Sequence, residues 1–436
     1  MKIGIKKTGI RKIGIRSIRK GIKDGIKNKR HLITGLILAG LMMTGTLQQQ
    51  VYADSLKQES PTSAVEKIAD QAVSKMVSGV QELASRALEK ASGEKEAEIA
   101  AEEQALRYDF SLGFAGDICL ADNYIPMQHL KALGSEDISD GIDPRYIEIM
   151  QDMDLMWINN EFVYSLRGAP LSDKAWTFCG DPANVSYLKD LGVDIVGLAN
   201  NHTFDFGEES FLDTLSTLEK AEIPYVGAGR TMKQAGAPVY LETNGFRIAY
   251  VAASRAEYTI YTPEATDTKP GILWCYDNTR FLESIRTAAA NADYVIALPH
   301  WGVEHSTVLE DVQIEGAHAY IDAGADAVIG AHPHILQGIE YYKGKPILYS
   351  LGNFWFDDYD IDTLVARLRI KGRKADPDDT SLEDADVELK LYPGTQTGVY
   401  TGLADTPEWK SRILQDLENI SINITIDEDG VVHERE

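Results

Sequence analysis

From residue 109 onward, short apolar runs alternate with stretches whose apolar positions recur every three or four residues. The runs FSLGFAG, DLMWIN, VDIVGLA, FRIAYVAA, DYVIALP, DAVIG and KPILYS have the length and the aliphatic and aromatic content of buried strands. Between them EESFLDTLSTLEKA, NTRFLESIRTAAANA and EDVQIEGAHAYIDAG carry helical spacing. This alternation predicts an α/β domain whose sheet is built partly through crossover connections. Residues 359–436 add the strand-like DVELKLYP and ISINITIDEDGVV around a helical PEWKSRILQDLENI, after an acidic stretch. Alternating strands need a partner sheet, so this extension is expected to complete the domain of residues 108–358; a small independent domain is the alternative.

Upstream the texture differs. Residues 1–30 hold twelve Lys/Arg against one Asp, residues 31–47 are apolar, and Val51-Tyr52-Ala53 offers small-residue cleavage chemistry. Residues 1–53 thus read as a secretory signal peptide, with an uncleaved signal anchor as the alternative. The apolar run is shorter than the roughly 20 residues of a membrane span. Either way the body is expected outside the cytoplasm, secreted or anchored at the cell surface. Residues 54–107 contain no aromatic residue; Ser63 and Glu66 have capping-box spacing, and Val65, Ala69, Ala72, Met76, Val80, Leu83 and Ala87 form one apolar stripe. They predict an amphipathic helical linker, acting as a stalk or a self-associating segment, with a partly ordered linker that holds the domain off the membrane as the alternative.

Composition narrows the partners. With 436 residues and 44% hydrophobic content the chain can bury a large core. Its net charge is −24, and without the basic leader 31 basic residues face 66 acidic ones, a net −35. That excludes nucleic-acid binding through the phosphate backbone. Three cysteines, Cys119, Cys179 and Cys275, form no disulfide framework, since one must remain over.

The candidate chemistry lies where the strand-like runs stop. They end in Asp117, in Asn159-Asn160-Glu161, in Asn200-Asn201-His202, in His300, and in His332-Pro333-His334. Ligands of α/β folds bind at the carboxyl ends of strands, so these groups can converge. Carboxylate, amide oxygen and imidazole together suit Mn, Fe or Zn. Pro333 biases His332 toward an extended conformation, in which His332 and His334 would project to the same side.

The ordered series GFAGDICL, NNEF, GLANNHTFDFG, LPHWGVEH and GAHPHILQGIEYYKGKPILYSLGNFWFD, spanning about residues 109–358, resembles the CapA family of poly-γ-glutamate capsule synthesis proteins, related in fold to calcineurin-like metallophosphoesterases. The resemblance implies a four-layer αββα sandwich. It also implies that Asp117 holds a first divalent metal and that Glu161, with neighbouring Asn160, takes the place of the bridging carboxylate. Asn201, His300 and His332 would hold a second ion, and His334 would return to the first. His202 would stay off the metals and protonate a leaving oxygen while a metal-acidified water attacks phosphorus or an acyl carbon. Asp205 could orient His202 or serve as a loop cap, and Trp301, Glu304 and Asn353 would line or support the site. Where phosphoesterases carry Asp-x-His this chain has Asp117-Ile118-Cys119, so one imidazole is missing; one or two ions are expected, with Cys119 as an alternative ligand. Two classes stay open: a metal-dependent hydrolase or transferase acting on a phosphoester or an anionic polymer, and a non-catalytic scaffold in a membrane complex of capsule synthesis.

Overall fold

The computed structural model describes residues 71–90, except 73, 84 and 88, and residues 106–435, except 258–260, 377–378 and 383. The expected signal segment, residues 1–53, lies outside the described residues. The chain divides into two units, residues 1–101 and 102–436. In the first, the described part of residues 71–90 is helical, and Met76, Val80 and Leu83 of its apolar stripe are exposed. Among the described residues no helix is long and apolar enough to cross a membrane.

The second unit is built on two sheets, of eight and six strands. Strand Arg107–Ile118 shows why its sequence reads as a nearly continuous apolar run. Tyr108, Phe110, Leu112 and Phe114 point into one buried cluster, while Ala115 and Ile118 join another. A strand covered on both faces needs apolar residues at successive positions.

Three such clusters define four layers. Between the sheets, Phe114 and Trp157 of the first meet Ile248, Tyr250, Ile296 and Ile329 of the second. Outside the first sheet, Met156, Ile158 and Val196 pack with helices Ile125–Leu133, Pro144–Gln151 and Glu208–Ala221. Outside the second, Val251, Val295 and Val328 pack with helices Thr279–Ala289 and Asp311–Asp322. The layers are therefore helix, sheet, sheet, helix.

Parallel pairing concentrates the strand ends. In the first sheet Arg107–Ile118, Leu155–Asn160 and Ile195–Gly197 run parallel. Ile361–Arg373, Asp386–Thr397 and Tyr400–Leu403 extend the same sheet antiparallel. In the second, Phe246–Ser254, Tyr294–His300, Ala327–Ile329 and Lys345–Leu348 run parallel. Register places Asp117 beside Asn159 on one neighbour and Asn353 on the other, and His300 bridges to Ala331.

Gly116 shows how closely these ends approach. A Cβ there would overlap the carbonyl oxygen of Gly352, which also accepts the Asp117 N–H at 2.9 Å. Replacing Gly116 with Ala forces the two strand ends apart in a packed interior. Gly116→Ala should lower stability by about 1–3 kcal/mol, read as a reduced urea midpoint; a wild-type midpoint would show that the contact yields without cost.

Candidate metal centre

The site forms around Glu161, whose side chain has no solvent exposure. Its Oε1 lies 3.6 Å from His300 Nε2 and 4.0 Å from the Nε2 atoms of His202 and His334. Its Oε2 accepts a hydrogen bond from Asn159 Nδ2 at 2.9 Å, and the same amide donates to Asp117 Oδ1 at 2.7 Å. One amide thus holds two buried carboxylates side by side.

Each imidazole is placed differently. His334 Nδ1 lies 2.7 Å from Asn353 Oδ1, and the Asn353 amide donates to Asp357 Oδ2 at 2.8 Å. With its amide so engaged, Asn353 presents oxygen to His334, which puts the ring proton on Nδ1 and leaves Nε2 with a free lone pair. His300 Nε2 lies 2.9 Å from Asn201 Oδ1. His332 faces His300 at 4.8 Å between ring centroids. His202 Nδ1 is 2.7 Å from Asp205 Oδ2, which also accepts the Phe178 N–H at 2.7 Å. The other oxygen of Asp205 accepts from Lys174 Nζ at 2.9 Å, and the lysine side chain is only 4% exposed.

The polar atoms left over identify the chemistry. Asp117 Oδ2, Glu161 Oε1 and His332 Nδ1 are buried without hydrogen-bond partners. Asp117 Oδ2 is 3.2 Å from His334 Nδ1, within ion-pair range, yet that nitrogen is aligned on Asn353. Unpartnered buried acceptors are costly, and a cation among them removes the cost. Two clusters place all their ligand atoms within 4.8 Å of one another, Asp117–Glu161–His334 and Glu161–His300–His332, and Glu161 belongs to both. The donor set fits one or two divalent ions of the Mn, Fe or Zn type.

Burial sets the protonation of the group. It pushes the Glu161 carboxyl well up, and the charge of Asp117 adds to the effect. It pushes His300 and His332 well below the usual imidazole range, with neighbouring imidazoles contributing. For His334 burial also acts downward, but the Asp117 carboxylate outweighs it and the pKa rises. His202 is lowered by burial and by Lys174, against the opposing pull of Asp205.

Several residues expected at the site stand elsewhere or arrive by another route. The side chains of Asn159 and Glu161 share one face of the strand and Asn160 projects from the other, where its amide donates to the Phe162 carbonyl at 3.1 Å. Asn159 therefore takes the place expected of Asn160. Trp301 is fully buried, stacked with Tyr320 and Tyr349, and its indole N–H donates to the Tyr349 carbonyl at 3.0 Å; it anchors the strand end and does not line the site. Cys119 lies in the helix-side core and joins none of the ligand clusters. His332 is not extended: its φ is 103° and that of His334 is 60°, so a left-handed turn, not strand alternation, aims both rings. Trp301 N donating to Ala331 O at 3.0 Å and His305 N donating to Pro333 O at 2.8 Å hold that turn against its strain. Asn201, His202, Asp205, His300, Asn353 and Glu304 stand together around Glu161, Glu304 on the exposed side. The two-residue alternation of the strand could have singled out Asn159. Lys174, in a loop distant in sequence, carried no signal.

Residues 111–358 match the family described as bacterial capsule synthesis protein PGA_cap. The chain belongs to this family. It is 36% identical over 190 residues to capsule biosynthesis protein CapA of Bacillus anthracis, a match covering 43% of this chain and 46% of that protein. It is 38% identical over 175 residues to PGA biosynthesis protein CapA of Bacillus subtilis (strain 168), covering 40% of this chain and 45% of the relative. The chain thus spans somewhat under half the length of these relatives. A solved structure described as a novel phosphatase of Mycoplasma pneumoniae aligns over 71% of this chain and 99% of its own, at 12% identity and a TM-score of 0.40, too distant to bear on the chemistry.

The Glu161 carboxyl, pushed well up by burial and by Asp117, holds its proton to higher pH than a free carboxylate and must release it to bind a cation, whereas His300 and His332, pushed well below the usual imidazole range, offer no such competition. Mn²⁺ binding should therefore release protons and tighten as pH rises. Calorimetry in buffers of different ionisation enthalpy measures this, and binding without proton release would contradict the assignment.

Proposed function

We propose that this member of the capsule synthesis family is a metal-dependent, phosphoesterase-like hydrolase that works outside the cytoplasm in poly-γ-glutamate capsule production. The observation that carries the proposal is the unpartnered Oε1 of Glu161, ringed by His202, His300 and His334, with His202 set on Asp205. The capsule role is supported by the similarity to the capsule and PGA biosynthesis proteins of Bacillus, and the extracytoplasmic location by the basic and apolar succession of residues 1–53.

Asp117, Glu161 and His334 would hold one divalent ion, and Glu161, Asn201, His300 and His332 another. Bound there, such ions supply Lewis acidity toward an oxyanion and lower the pKa of water. The remaining work belongs to the chain's own residues. Asn159 fixes both carboxylates with one amide. Asp205 holds the Nδ1 side of His202, so that its Nε2 faces Glu161 and the substrate side. Burial and Lys174 hold the His202 imidazole below its usual range, so a proton on it is readily given to a leaving oxygen. Lys174 also donates to the Asn201 carbonyl, so one ammonium positions both the amide ligand and the acid's partner.

A scaffold reading draws support from the net charge of −24, which opposes unassisted binding of a polyanion. The two readings separate at His202. In Mn²⁺-dependent hydrolysis of phosphodiester, phosphomonoester and γ-glutamyl substrates, His202→Ala should keep its metal and lose turnover by about 100-fold or more. Asn201→Ala should weaken metal binding itself. Absence of metal-dependent turnover in the wild type, together with normal capsule formation by cells carrying His202→Ala, would establish the scaffold instead.

A further inference from the structure

We propose that Glu304 is a second, exchangeable carboxylate ligand on the solvent side of the metal centre, which an incoming phosphoryl or carboxyl oxyanion displaces. The proposal rests on the metal-centre reading above and adds to it the outermost ligand and the manner in which substrate enters.

The ligand clusters overlap in an informative way. Beyond the two that share Glu161, a third consists of Glu304, His332 and His334, again with all ligand atoms within 4.8 Å of one another. It takes one imidazole from each of the other two. Glu161 therefore reaches both halves of the centre from a fully buried position, and Glu304 reaches both from an exposed one. The two carboxylates bracket the centre, one fixed and one open to solvent.

Glu304 is not brought there by chance of surface position. The preceding Trp301 is locked by its indole to the Tyr349 carbonyl, and Gly302, at φ 92°, turns the chain where a Cβ would crowd Gln313 and Pro333. Immediately after it, His305 adopts φ 57° and donates its N–H to the carbonyl of Pro333. Glu304 is thus pinned on both sides to the turn that carries His332 and His334. Among the described residues its carboxylate has no hydrogen-bond or ion-pair partner, and His332 Nδ1 is buried without one. Cys119, withdrawn into the core, joins none of the ligand clusters, and Glu304 is their one exposed member, so the solvent side is where a further oxygen donor can enter.

An exposed glutamate on a flexible stem differs in kind from Glu161, which Asn159 holds in place. Glu304 competes for the same coordination positions as a substrate oxyanion, since carboxylate and phosphate are both anionic oxygen donors. It follows that Glu304 strengthens cation binding and weakens anion binding. A surface acid with no contact to the centre would do neither once its field is screened. A residue that hydrogen-bonds the substrate would strengthen anion binding, the opposite sign.

The test uses the full chain at high salt, with Mn²⁺ titrated into metal-free protein and inorganic phosphate titrated into Mn²⁺-loaded protein. Glu304→Gln, nearly isosteric and exposed, should bind Mn²⁺ about 10-fold more weakly. Once loaded at saturating Mn²⁺, it should bind phosphate more tightly than wild type. Glu304→Asp should recover part of the Mn²⁺ affinity. Unchanged Mn²⁺ affinity in Glu304→Gln, or weaker phosphate binding, would overturn the proposal while leaving the centre intact. A wild-type chain that binds no Mn²⁺ would instead bring down the metal-centre reading and this proposal with it.

Discussion

Keeping Asp117 and Glu161 side by side in the interior is the constraint on which the site depends. Two carboxylates cannot both stay charged there without compensation, and the amide of Asn159, donating to both, supplies only part of it. The rest falls to groups that approach from the ends of other strands: the imidazole of His334 beside Asp117, and, in the function proposed above, a cation among the atoms left unpartnered. Parallel pairing in both sheets is what delivers those ends to one place, since every parallel strand contributes its carboxyl terminus to the same edge.

Around this centre the chain departs from regular geometry and holds the departures in place. His332 and His334 sit in the left-handed region, which is unfavourable for residues bearing a side chain, yet the turn is fastened to the strand end at Trp301 and to the loop at His305. The Trp301 ring, packed between Tyr320 and Tyr349, makes that fastening rigid. The same logic governs the second set of contacts, where Lys174, Asp205 and His202 form a buried chain of opposite and neutral charge. A buried ammonium persists only where it is paired, and here it is paired to Asp205 and to the Asn201 carbonyl at the site and, at 3.4 Å, to Glu257.

The family gives this arrangement a setting, and the charge of the chain gives it a condition. Were the substrate the anionic polymer or phosphoester proposed above, an acidic protein would rely on the centre itself to supply attraction. Residues 361–403 contribute differently: they extend the first sheet beyond Arg107–Ile118 and so support the strand that carries Asp117 from its far side.

Much of the fold was legible in the sequence because buried strands and amphipathic helices impose their periodicity on apolar residues. The run EESFLDTLSTLEKA coincides with helix Glu208–Ala221, and FSLGFAG falls within strand Arg107–Ile118. The residues at the strand ends were legible for the same reason, since a polar group directly after a buried apolar run is conspicuous. Side-chain direction was legible only where periodicity reached: alternation separates Asn159 and Glu161 from Asn160, but the resemblance alone did not make that distinction. Lys174 lay beyond any local pattern, because its partners Asp205 and Asn201 are supplied by a different segment of the chain. The aim of His332 and His334, and the withdrawal of Trp301 into the core, were decided by tertiary contacts: a turn held from outside can take backbone angles that its own residues do not favour.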